Sequence, residues 1–82
     1  MTDAEIALYA AVRVSVDTSW RISMETGSHV VIRFRRLVGD RVESYALMPP
    51  HDLLRSSSPV AVSQAVWSTA EEAKYRLGRA YA

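Results

Sequence analysis

The chain has no cysteine. That excludes disulfides, thiolate nucleophiles and cysteine-ligated metals, and it fits a reducing compartment. Lysine is nearly absent: of ten basic residues only Lys74 is not arginine. The arginine preference fits either a GC-rich genome or the use of planar guanidinium groups in contacts. A clear excess of one charge is missing too. The formal net charge is +1, short of the basic balance of a dedicated nucleic-acid binder. Long hydrophobic runs do not occur. The charge-free stretch 59–70 is interrupted by Ser, Gln and Thr, far from the roughly 18–20 apolar residues of a membrane span. The opening Met-Thr-Asp-Ala-Glu is acidic and has no basic n-region, so a signal peptide is not expected and the cytoplasm is the expected address.

Catalytic signatures are missing as well. The only histidines are His29 and His51, too few for a recognisable zinc set without matching carboxylates. No H-E-x-x-H, G-x-S-x-G, P-loop or G-x-G-x-x-G occurs. His51-Asp52 beside Ser56, Ser57 and Ser58 is better read as loop and cap chemistry than as a nucleophile set. The expectation is a protein that is not an enzyme and needs neither metal nor cofactor.

What is present is a small globular pattern. At 82 residues, 49% hydrophobic and 23% charged, the composition excludes disorder and predicts one α+β domain over residues 1–82. A chain of this size buries roughly 60–65% of its unfolded surface, enough for one modest core. Thr2 and Glu5 match a capping box and predict a short N-terminal helix to about Ala11. From Val12 the pattern alternates: Val12, Val14, Val16, Trp20, Ile22 and Met24 on one face, Arg13, Ser15, Asp17, Ser19, Arg21, Ser23 and Glu25 on the other. This predicts a long half-buried strand with a bend near Asp17-Thr18. Thr26-Gly27-Ser28 reads as a turn. Residues 29–37 read as the middle strand, and Gly39-Asp40 as a tight hairpin turn. The third strand, 41–48, stops at Pro49-Pro50.

The two hairpins select one core face. A three-residue loop at 26–28 sets Met24 opposite Val30, Ile22 opposite Ile32 and Trp20 opposite Phe34. A two-residue loop at Gly39-Asp40 sets Phe34 opposite Tyr45, Ile32 opposite Leu47 and Arg36 opposite Glu43. After a single-turn segment at 51–55, Ser58 and Pro59 open a helix to about Arg79. Its stripe is Val62, Val66, Ala70, Ala73, Leu77 and Tyr81, with Ala65, Thr69 and Ala80 beside it. The expected fold is α-β-β-β-α: a three-stranded antiparallel meander packed on the long C-terminal helix, with the N-terminal helix at an edge. Trp67 is read as a residue at the core margin.

That element order is similar to the order of the double-stranded-RNA-binding domain. The family opens its last helix with a lysine cluster that holds phosphates; the stretch 58–64 here carries no positive charge. The resemblance covers element order alone and does not extend to RNA binding.

The outer sheet face is the expected functional surface. In this register Arg33 lies beside Arg21, and Arg35 lies between Ser19 and Ser44. Val31, Leu37, Val42 and Met48 share the face. Arginine with aliphatic side chains and Met is a composition that interfaces favour. Arg21, Val31, Arg33, Arg35, Leu37 and Met48 are therefore expected to bind a protein partner or a second copy of the chain, as a homodimer. The function expected is that of an adaptor or inhibitor, a class common among phage- and mobile-element-encoded chains of this size. The alternative is nucleic-acid binding, with Arg21, Arg33, Arg35 and Arg41 on phosphates. Against it, Trp20, Phe34 and Tyr45 fall on the core side and leave no stacking platform.

Overall fold

The computed structural model describes residues 1–78. The elements follow the order α1 (Asp3–Ser15), β1 (Arg21–Glu25), β2 (Val31–Val38), β3 (Arg41–Leu47), α2 (His51–Leu54) and α3 (Pro59–Leu77). The strands form one antiparallel sheet in the order β1-β2-β3. This is the expected α+β arrangement. The expected positions of Arg79, Ala80 and Tyr81 lie outside the described residues.

The first departure is at the start. The capping box forms as expected: the Glu5 amide donates to Thr2 Oγ1 at 3.1 Å, and the Thr2 amide donates to Glu5 Oε1 at 2.9 Å. The helix it opens then continues to Ser15, through residues expected in the first strand. Leu8 and Val12 are spaced by four, so they lie along one helical stripe, Val16 follows as the extended C-cap, and all three are buried. A helix thus buries Val12 as well as a strand would, and the cap nucleates the helix. α1 does not sit at an edge. Leu8 and Val12 are among the largest fully buried side chains, and α1 lies against α3.

Chain reversal after α1 is fixed by two side chains. Arg13 donates to the carbonyl oxygens of Asp17 at 2.7 Å and Trp20 at 2.6 Å. The Asp17 carboxylate accepts from the Ser19 amide at 2.8 Å, and the Trp20 amide donates to the Asp17 carbonyl at 3.1 Å. The expected bend near Asp17-Thr18 is therefore a full turn between a helix and a strand. β1 shrinks to five residues.

The β2–β3 register is the expected one: Ile32 faces Leu47, Phe34 faces Tyr45 and Arg36 faces Glu43. Gly39 holds φ at 64° in the two-residue turn, where an L side chain would be strained. The β1–β2 register is shifted by two. Ile22 faces Phe34 and Met24 faces Ile32, so the loop spans residues 26–30 and Trp20 lies before the strand. The shift keeps every face because strands have a period of two. It also serves the core: Val30 is buried, and Arg55 donates to the Gly27 carbonyl, tying the loop to the end of α2. The expected Trp20–Phe34 contact survives as an edge-to-face pair with centroids 6.5 Å apart.

Large and small residues alternate across the layers. The sheet supplies Ile32 and Phe34, and α1 supplies Leu8 and Val12. α3 answers with Ala65, Ala70 and Ala73, alongside Val66. Small side chains on α3 let its backbone approach, and the larger ones fill the space between. Thr69, also buried, donates its hydroxyl to the Ala65 carbonyl at 2.6 Å. Phe34→Ala is expected to cost about 3–5 kcal/mol, a large part of the stability of a small domain. Urea unfolding measures it, and a loss under about 1 kcal/mol would contradict this core.

Candidate functional site

Both long helices pack against the side of the sheet that carries Ile32 and Phe34, so the opposite side is bare. Its residues follow from the pairing: Arg21, Ser23 and Glu25 on β1; Val31, Arg33, Arg35 and Leu37 on β2; Val42, Ser44 and Ala46 on β3. All are exposed except Val31, which is half-buried. Met48 follows β3 and is exposed as well.

The six expected contact residues share this side but do not form one cluster. Val31 lies at one end of β2 and Leu37 at the other, six residues or about 20 Å away. Leu37, 72% exposed, pairs across the strand with Val42, also exposed. The arginines lie between these ends.

Their partners differ from expectation because β1 is shifted. Arg33 is opposite Ser23, and Arg21 is opposite Arg35. Arg33 reaches diagonally to Glu25, with Nε 2.9 Å from Oε2 and Nη2 3.4 Å from Oε1. This hydrogen bond and the Glu25 charge raise the Arg33 pKa above its ordinary value, so the group stays ionised. Its charge is already answered within the chain. Arg36, on the core side, is answered too. Its Nε lies 2.7 Å from Glu43 Oε1, and its guanidinium lies 4.3 Å from the Trp20 ring centroid. Arg21 and Arg35 stand apart from both. They face each other, and no ion pair engages either among the described residues. They line a shallow groove of about 790 Å³ at the β1 end of the sheet, with Ser19, Ser23, Leu37 and Val42. The groove exists because β2 runs past the start of β1: residues 36–38 have no β1 partner.

A second exposed surface escaped the sequence reading. Trp67 is 58% exposed, not a core-margin residue, and Val14 is 80% exposed. Both border an apolar groove of about 1060 Å³ between α1 and α3, with Ala7, Ala10, Val62 and Val66. The spacing of Ala7, Ala10, Ala11 and Val14 carried the signal, as a second apolar stripe on α1. It was hidden by assigning Val14 to a strand.

His29 and His51 come together, with ring centroids 4.8 Å apart, joining the β1–β2 loop to α2. Among the described residues no group of three His, Asp or Glu side chains is placed to hold a metal ion. No described helix is long and apolar enough to cross a membrane. No protein-family model, curated protein or solved structure matches the chain.

The two tryptophans give opposite optical signatures. Trp67→Phe leaves only Trp20, 5% exposed, and is expected to give blue-shifted emission resistant to acrylamide. Trp20→Phe leaves Trp67 and is expected to give red-shifted, readily quenched emission. Similar quenching of the two variants would contradict the placement of α3. A double-mutant cycle on Arg36 and Glu43 is expected to return a coupling of about 0.2–1 kcal/mol; zero coupling would remove that pair.

Proposed function

We propose that the protein is a small non-enzymatic interaction module, an adaptor or inhibitor, that binds a protein partner through the open face of its sheet. One observation carries this reading. Both long helices cover the same side, so the other side presents exposed Leu37 and Val42 beside Arg21 and Arg35, and exposed Met48 at the far end of the sheet. Aliphatic side chains and Met supply area to bury. Arginine supplies planar, directional hydrogen bonds at a rim. The cytoplasm is the proposed compartment, on the lack of cysteine, and a phage or mobile element is the proposed origin class. A second copy of the chain is the other occupant this face would accept, giving a homodimer.

Nucleic-acid binding through the sheet arginines is the weaker reading. Arg33 is held by Glu25 and Arg36 by Glu43. Trp20 and Phe34 are buried, and Tyr45 packs against the core, leaving no aromatic of the described strands for a base on the open face.

Leu37→Asp combined with Met48→Asp tests the face at two exposed positions, so folding is expected to persist. The immobilised wild-type chain is expected to retain one protein in a band that survives about 0.5 M salt, a level at which exposed charge pairs are largely screened. The double variant should lose at least about tenfold in affinity, or about 1.4 kcal/mol. Retention of nucleic acid alone, lost as salt rises, would replace this reading with the weaker one. Equal retention by the double variant would remove the face. A concentration series by light scattering identifies self-association if the occupant is a second copy.

A further inference from the structure

We infer that Arg21 and Arg35 form a carboxylate-recognition pair and that the partner of the open sheet face is an acidic protein segment. The inference rests on the interaction-module reading and adds the chemistry of the partner.

The pairing register places Arg21 directly opposite Arg35. Cross-strand neighbours of this kind have Cβ atoms about 4.5–5.5 Å apart, and like charges there oppose folding. The other arginines of β2 face no like charge and have acids to pair with: Glu25 takes Arg33, and Glu43 takes Arg36. At Arg21 and Arg35 no acid of the described chain does so. The surroundings leave room for a guest. Ser23 and Ser44 are the cross-strand partners of Arg33 and Arg35; both are small, and their hydroxyls donate or accept. Ser19 and Ser23 line the groove with the two arginines, and Ile22, Leu37, Val42 and Arg36 complete it; Arg36 is held by Glu43 and donates to the Ser19 hydroxyl at 3.4 Å. Two guanidinium forks suit one or two carboxylates held in bidentate fashion. The adjacent aliphatic pair suits the apolar residue that follows an acidic one in an extended segment.

A partner carboxylate would relieve the repulsion between the two arginines, so binding gains from a conflict that the free chain carries. A continuous phosphate backbone fits less well. Glu25 lies on the same face, held by Arg33, and Asp40 at the adjoining turn, and the chain's net charge is only +1. A peptide presenting a few carboxylates avoids those acids; a polyanion running across the sheet meets them.

Fluorescence anisotropy of the full chain with a short labelled peptide alternating glutamate and valine tests the proposal. A lysine–valine peptide and a single-stranded DNA oligonucleotide run in parallel. The acidic peptide is expected to bind saturably at low salt with a Kd of about 0.1–1 mM, while the lysine peptide does not bind. Arg21→Gln with Arg35→Gln should weaken that binding at least about tenfold. The same double variant should unfold at an equal or higher temperature than the wild type, because a repulsion is gone. No saturable binding of the acidic peptide, equal binding by the double variant, or a lowered unfolding temperature would each overturn the proposal. Tighter binding of the DNA than of the acidic peptide would also overturn it, by giving the pair to phosphate. These failures leave the Leu37 and Met48 test untouched. Failure of that test, with acidic-peptide binding intact, would instead remove the wider reading.

Discussion

The burial of Ile32 and Phe34 beneath an alanine-lined helix is the constraint on which the rest of this structure depends. β2 is the central strand, so its inward residues meet neighbours from both sides: Met24 and Ile22 from β1, Leu47 and Tyr45 from β3. Above them α3 brings Ala65, Ala70 and Ala73, and α1 brings Leu8 and Val12. α3 lies closely against α1, and larger residues at these buried positions would overpack the shared core. Once both helices are committed to this side, none is left for the other. The bare sheet face follows from how the core is filled.

Charge on the sheet follows a division of labour. Arg36 projects on the core side near the hairpin, where its guanidinium lies over Trp20 and against Glu43. It closes the edge of the core and is spent on structure. Arg33 is held by Glu25 on the open side. Arg21 and Arg35 have neither arrangement, and they border the groove where β2 outruns β1. Local geometry, more than net charge, separates structural arginines from those free to meet another molecule.

Much of this was legible in the sequence. The β2–β3 pairing was legible to the residue because Gly39-Asp40 leaves no slack in the turn and Arg36 needs Glu43 across from it. The core face of all three strands was legible from alternation, which a two-residue slip does not disturb. That same insensitivity hid the true β1–β2 register. Loops of three and five residues give identical faces, and the choice between them comes from burial of Val30 and the grip of Arg55 on Gly27. Such contacts involve residues distant in sequence and leave no local pattern. The end of α1 was hidden for another reason: Val12, Val14 and Val16 satisfy both a two-residue and a four-residue spacing. The misplaced Val14 then concealed the groove beside Trp67. Correct faces with a wrong register moved Arg21 from Arg33 to Arg35, so the candidate residues stood on the right surface with the wrong neighbours.

The contact between α1 and α3 gives the chain a distinctive route to its native state. Each strand pairs with the next in sequence, across loops of five and two residues, so the meander closes with little loss of chain entropy. The two helices meet across the whole intervening sheet, and that closure is entropically the costliest. Yet a meander alone leaves Ile32 and Phe34 facing water. The local structure that forms readily is therefore the part that is not stable by itself, and the distant contact makes it last. Cooperativity in so small a chain is a product of this mismatch: neither the sheet nor the helix pair has a buried core without the other.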